Sequence, residues 1–455
     1  MKLIDRIRNF AATDIFMLLC LMVAYGCVAF EIPAVGIGLF SVVLCVLFVI
    51  EDDILLIITP LLMLCCLAFL CTEQLFLLWL LIPLIGTLAY RFIRNLRLAK
   101  QAGNFYSLSG LIAVTVAVTL SGLFVITPEE YFTPIPLVNM LCLGLFMIPI
   151  YFFFKGGMVS PRRYNVADKI SANMYILGIF LAFMILRFFI VYPELWDADN
   201  VGEALSQYAW WRNGAATLVV MLFPFIFYYA IEHHPIHLLS VVLVYAAIVL
   251  SGSRGGLLCG GVEILLCLGY YCYYKKAHRR FVWIGLAVCA VVSLFFYRQI
   301  FEIGHHLLRV TLDFELLMQE DRVLFAIRSI DDFLKNPIFG VGFGYQGNYD
   351  IHVLHVNWYH SLLPQIVGGM GVVGIVAYAY QFAVRIRLMR AAPRTPYMGA
   401  LILSYLGVLI YSQIDPGLVS PYAIVATVLF VLMEEESHPS PMLPLRKQHK
   451  EKQKV

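Results

Sequence analysis

Three cationic or imidazole side chains stand in polar breaks of a chain that is otherwise almost continuously apolar, and their neighbours suit chemistry on an anion. Arg254 lies in Ser251-Gly252-Ser253-Arg254-Gly255-Gly256, where a new apolar run of helical length begins. A helix starting there places free N–H groups and a positive dipole end beside the guanidinium and the hydroxyls of Ser251 and Ser253, a set that suits a phosphate or diphosphate. The same residues also read as an arginine reaching for the membrane interface, with glycines for close helix packing. Arg322 follows Asp321, which can cap a helix over 322–334. A cation in a first helical turn opposes the macrodipole, so Arg322 either binds an anion or pairs with Glu320 or Asp321. His360 precedes an apolar run whose N-cap is Ser361. A helix N-terminus favours the neutral form of a nearby imidazole, the form a general base requires, although an ordinary interfacial histidine fits the position too.

Weaker candidates surround these. Trp358 and Tyr359 can stack on a sugar ring or anchor the chain at the interface. Asp415, in Ser412-Gln413-Ile414-Asp415-Pro416-Gly417, can cap the last helix or position an acceptor. His352-x2-His355-x4-His360 has the spacing of a loop metal site but lacks a helical i, i+4 pair and an acidic ligand, so no metal is expected. Glu263 falls inside an apolar run, roughly 13 Å along a helix from Arg254, and is either a proton or ion path or a carboxyl bonded to a neighbouring helix. His233, His234 and His237 read as structural.

The elements that must position these groups follow from composition. Of 455 residues, 61% are hydrophobic and 13% charged, with mean hydropathy +0.84, which calls for an all-α, polytopic membrane protein. Apolar runs between polar breaks give about fourteen crossings, at 15–30, 34–50, 54–71, 74–90, 108–127, 136–154, 173–192, 214–231, 236–251, 255–273, 281–297, 361–383, 398–412 and 418–433. The first run leads straight into a second and reads as a span, not a cleavable signal. Basic clusters at 2–8, 91–100, 155–169, 275–280, 385–394 and 446–454 recur after every second crossing. The positive-inside rule then places both termini in the cytoplasm and residues 298–360 in one large outer loop. The domains expected are a cytoplasmic N-terminus at 1–14, helices over 15–297, the loop at 298–360, helices over 361–433 and a basic cytoplasmic tail at 434–455. Within the loop, 306–317 and 322–334 carry apolar residues at helical spacing and suit helices on the membrane surface; Asn336-Pro337 stops the second, and the glycines of 340–347 permit tight turns. The eleven cysteines all lie in apolar runs without CxxC or Cys/His zinc spacing, and the near balance of 32 Lys+Arg against 29 Asp+Glu gives no sign of nucleic-acid binding.

Three pieces in order resemble the O-antigen ligase and O-antigen polymerase superfamily of bacterial membrane glycosyltransferases. They are Ser253-Arg254-Gly255; Asp321-Arg322 continuing to Asn336-Pro337-Ile338-Phe339-Gly340-Val341-Gly342; and His360-Ser361 followed by Gly371-x2-Gly374. The resemblance covers about residues 245–380. It implies a GT-C type enzyme of the bacterial cytoplasmic (inner) membrane that transfers a glycan from a polyprenyl diphosphate carrier to an acceptor hydroxyl on a glycan or lipid, without a cofactor or an obligatory metal. Membrane lipids and polysaccharide-assembly proteins are the further partners it implies. On that reading Arg254, Arg322 and Ser253 hold the diphosphate and His360 is the catalytic base. A lipid-linked-sugar flippase would want polar residues along a membrane path, and a peptidoglycan polymerase of the shape, elongation and division family would lean on an outer acid such as Asp415; these are the rival readings.

Overall fold

The computed structural model describes residues 2–51, 53–69, 78–124, 140–159, 164–191, 210–251, 253–280, 282–283, 321–342, 359–414 and 422–440. These are mostly helical, with turns and loops between the helices and no strand among the described residues. In chain order the helices are α1 (Lys2–Ala11), α2 (Asp14–Ala29), α3 (Pro33–Ile50), α4 (Ile58–Phe69), α5 (Leu78–Ala99), α6 (Leu108–Leu123), α7 (Met147–Met158), α8 (Val166–Val191), α9 (Trp210–Glu232), α10 (Leu238–Leu250), α11 (Arg254–Tyr274), α12 (Asp321–Lys335), α13 (Leu362–Ala391), α14 (Pro396–Tyr411) and α15 (Tyr422–Ser437). Every expected apolar run coincides with one of these except 281–297, which lies outside the described residues but for Val282 and Trp283, as does the expected helix over 306–317. Four of the helices are long and apolar enough to cross a membrane, α1 and α2 add a bent pair, and several others are apolar but shorter.

Helix α9 forms the centre. Its stretch Val219–Ile226 is apolar on every side apart from the Pro224 backbone and almost wholly shielded, which is what a helix surrounded by α8, α11 and α14 requires. Close approaches rest on small residues: a side chain on Gly156 of α7 would collide with the Asn95 carbonyl of α5.

Helix ends sort into two groups. At one, Arg8 donates to the Ile50 carbonyl, Tyr164 to Asp53, Lys169 to the Ala12 carbonyl, Tyr228 to Asp168 and Tyr274 to the Arg394 carbonyl. There too Lys155, fully buried, pairs with Glu435 at 2.6 Å and Glu434 at 3.2 Å, and Glu434 also accepts from Tyr151 and from the Ser107 N–H. A buried ammonium and carboxylate survive only when paired in this way. Glu434 was expected to open a free tail; instead α15 runs on to Ser437 and its carboxylates hold the helix to α7. At the opposite group of ends, Arg187 meets Glu31 and the Ala29 carbonyl, and the Phe124 ring stacks on Phe339 at 4.4 Å.

Helix α12 is amphipathic as its spacing predicts, yet the stripe of Ile327, Ile330 and Leu334 faces away from the protein, with Leu334 70% exposed. Its polar residues Ser329 and Asp332 are the ones packed inward. That inversion suits a helix lying on a lipid surface.

Candidate active site

The site is built around a break in α13. Gly371 has φ 59° and ψ −153°, outside the helical region, so the helix is interrupted between Leu362 and Ala391. An interruption frees the carbonyls before it and the N–H groups after it, and inside a membrane protein these must be satisfied by protein. The turn at 337–342 does so. Val341 and Gly342 donate to the carbonyls of Gly368 and Gly369, while Val372 and Val373 donate to those of Pro337 and Ile338, at 2.8–3.2 Å. Only glycine permits this fit. Gly340 and Gly342 have φ of 70° and 115°, and a side chain on Gly340 would collide with the Gly369 carbonyl carbon. The glycine run is therefore the turn on which the broken helix docks, and it carries α12, immediately before it in sequence, onto α13.

Two further links fix the chain before α13. Tyr359 is fully buried; its N–H donates to Gln365 Oε1 at 3.0 Å and its hydroxyl to Asp332 Oδ2 of α12 at 2.5 Å. The ring, read from sequence as a sugar platform or an interface anchor, is packed inside the protein and holds the segment in place. His360 follows with φ 51°, a conformation uncommon outside glycine, and is partly exposed. Its ring lies 5.6 Å from that of Phe325. Phe325 is three residues after Arg322, one turn along the same helix face, and Arg322 is exposed.

Ser361 is the N-cap of α13, as its sequence position predicts, but its hydroxyl makes no capping bond. The Leu362 N–H instead donates to the Ser412 carbonyl at the end of α14, at 2.7 Å. Ile414, two residues on, packs against Gly255, where an added Cβ would meet Ile414 Cγ2 at 2.8 Å. The start of α11, the end of α14 and the start of α13 therefore meet. Arg322 also lies within electrostatic reach of Cys259, less than two turns into α11.

Ser253 is the N-cap of α11, its Oγ accepting from the Gly256 N–H at 3.1 Å, and it is 1% exposed. Its hydroxyl aligns the first turn of the helix. Arg254 is the first residue of α11. The Arg254 side chain lies outside the described residues, as do Trp358, Asp415, His352 and His355. Glu263 is buried, with the Cys267 thiol donating to Oε1 at 3.7 Å, and Gly407 of α14 makes room for its carboxyl. His233, His234 and His237 lie away from this region, capping or packing at the other end, with His234 accepting from the Ile236 N–H. Among the described residues no cluster of three or more His, Cys, Asp and Glu could hold a metal ion.

A lateral groove of about 360 Å³ runs between α13 and α14 from Leu362 and Leu363, next to His360, past Leu406 and Leu409 towards Phe382. Its lining is almost entirely apolar.

Sequence reasoning named the residues with reactive groups and missed those that place them: Asp332, Gln365, Phe325 and the break at Gly371. Asp332 was legible only as a polar residue opposite the apolar stripe of α12.

No curated protein matches the chain. Residues 239–379 match the family model described as O-Antigen ligase, a span that runs from α10 through α11 and α12 beyond the break in α13 and contains Ser253, Arg254, Arg322 and His360. Over this segment the chain is similar to the O-antigen ligase family.

Proposed function

We propose that the protein is a glycosyltransferase that moves a glycan from a polyprenyl diphosphate carrier to an acceptor hydroxyl at the outer face of a bacterial cytoplasmic membrane. The observation that carries this reading is the convergence of three separated pieces: the Arg254 end of α11, the Arg322 turn of α12 and the His360 entry to α13. Arginine binds phosphate oxygens with a planar fork, and two such groups neutralise a diphosphate as it departs. His360 takes the proton from the acceptor hydroxyl while that oxygen attacks the anomeric carbon, and a single displacement inverts the centre. The carbon–oxygen bond to the diphosphate breaks as the new glycosidic bond forms, and no cofactor or metal enters the step.

The prenyl chain lies in the groove between α13 and α14, whose upper end adjoins His360. About fourteen crossings in a GT-C arrangement, both termini inside and residues 298–360 outside complete the proposal; the separation of the basic helix ends from the His360 end supports it. The acceptor is a second repeat unit in a polymerase and a lipid or protein in a ligase.

The test is transfer by the purified protein in vesicles, from a lipid-linked repeat unit to an acceptor, with single Cys reporters at Gln319 and Asn348 marking the side the loop faces. Product formed on the loop side supports the proposal. Product on the other side, or the absence of transfer by protein that remains folded, removes it.

A further inference from the structure

The first ten described residues form a helix with an unusual setting. Helices α1 and α2 meet at 74°. The sixteen residues of α2 are mostly apolar and coincide with the expected first crossing at 15–30; a helix turned that far from a crossing runs close to the plane of the bilayer, at the level where the crossing enters it. Along α1, Leu3, Ile4, Ile7, Phe10 and Ala11 recur on one face, with Asp5 and Asn9 opposite. Ala11 is buried against the protein, yet Leu3 is 70%, Ile4 40% and Phe10 45% exposed.

The helix is held firmly, so that face cannot fold back for cover. Arg8 Nε donates to the Ile50 carbonyl at 2.8 Å and faces Glu51 at 3.6 Å, while its Nη1 faces Asp5 at 3.9 Å. Lys169 donates to the Ala12 carbonyl, and the Thr13 hydroxyl, which caps α2, donates to the Phe10 carbonyl. With Arg8 engaged by two carboxylates, Arg6 remains exposed at the edge of the apolar face. A short amphipathic helix with an exposed apolar face, a flanking guanidinium and an in-plane orientation matches the interfacial zone of a leaflet, where apolar side chains enter the acyl boundary and cations meet anionic headgroups.

We infer that α1 is an interfacial anchor, inserting Leu3, Ile7 and Phe10 into the adjoining lipid leaflet and holding an anionic headgroup at Arg6. This goes beyond glycan transfer and does not depend on it.

The experiment uses the full chain with native cysteines replaced, reconstituted at high lipid-to-protein ratio, with a spin label at Leu3→Cys or Asn9→Cys. The Leu3 label should relax faster with oxygen than with a water-soluble nickel chelate, and the Asn9 label should show the reverse. Phe10→Asp should shift the Leu3 label towards the chelate. In vesicles containing phosphatidylglycerol the Leu3 label should sit deeper than in phosphatidylcholine alone, and Arg6→Gln should abolish that difference. A Leu3 label open to the chelate overturns the anchor. A Leu3 label shielded from both reagents assigns the face to protein, either a second copy or a partner, and overturns it equally. Equal depth in the two lipids overturns the role of Arg6.

Discussion

The hydroxyl of Tyr359 donates to Asp332 Oδ2 at 2.5 Å, joining the residue beside His360 to the helix that carries Arg322, with both side chains buried. Tyr359→Phe leaves a buried carboxyl without that donor, at a cost of about 1–3 kcal/mol. The expected result is a lower Tm and a fall in kcat larger than any change in KM, because the imidazole loses its placement. Asp332→Asn keeps an acceptor and should be milder than Asp332→Ala. A Tyr359→Phe protein with the Tm and turnover of wild type would remove this role.

Burial pushes the Asp332 carboxyl above the usual carboxylate range, against the lowering effects of the Tyr359 hydrogen bond and the Lys335 and Arg328 charges. The folded protein therefore holds this proton to higher pH than the unfolded chain, whose value is about 4. Stability from this group is present in acid and is lost as pH rises through the folded value. Wild type should gain thermal stability relative to Asp332→Asn as pH is lowered into that window, and a pH-independent difference in Tm would count against the assignment.

Gly371 and the 337–342 turn fit backbone to backbone. A side chain at Gly371 would meet the Pro337 carbonyl oxygen at 2.6 Å and would also occupy a φ of 59°. Gly371→Ala should destabilise by about 1–3 kcal/mol or more and should detach α12 from α13, measured as faster hydrogen exchange at Val372 and Val373. Gly269, where an added Cβ meets nothing within 4 Å, is the control: Gly269→Ala should be neutral or stabilising.

For the arginines, the discriminating change is to lysine. An ammonium cannot supply the two parallel bonds of a guanidinium, so Arg254→Lys and Arg322→Lys should each express normally and lose most transfer activity. Interfacial arginines would tolerate lysine. Full product formation by both variants would return these positions to that simpler reading.

At His360 the expected split is between binding and turnover. His360→Ala should retain the lipid-linked donor, measured by direct binding, while turnover falls by about 10²–10⁴-fold. Near-normal turnover in this variant would remove the base. Abolition of wild-type turnover by a chelator would favour the His352, His355 and His360 metal reading instead.

Much of the molecule was legible before any tertiary contact was known, because membrane crossing imposes a strong one-dimensional rule. A lipid-facing helix must be apolar over its length, so the run at 236–251 or 398–412 announces itself, and polar breaks mark where each stops. Residues with reactive heads in polar breaks, Arg254, Arg322 and His360, stand out for the same reason. What tertiary structure decided is how the elements that carry them pack together. The sequence pattern of α12 predicts an apolar stripe but not which neighbour its polar side seeks, and only packing shows Asp332 beneath Tyr359. The glycines of 340–342 permit many turns; the carbonyls freed by the break at Gly371, dozens of residues away, select one. Likewise the carboxylates of α15 look like the start of a solvated tail until Lys155, buried in α7, requires them as counter-charge. Periodicity and hydropathy are local sums along the chain. Satisfying a buried donor, acceptor or charge is a pairing between distant residues, and that pairing exists only in the folded protein.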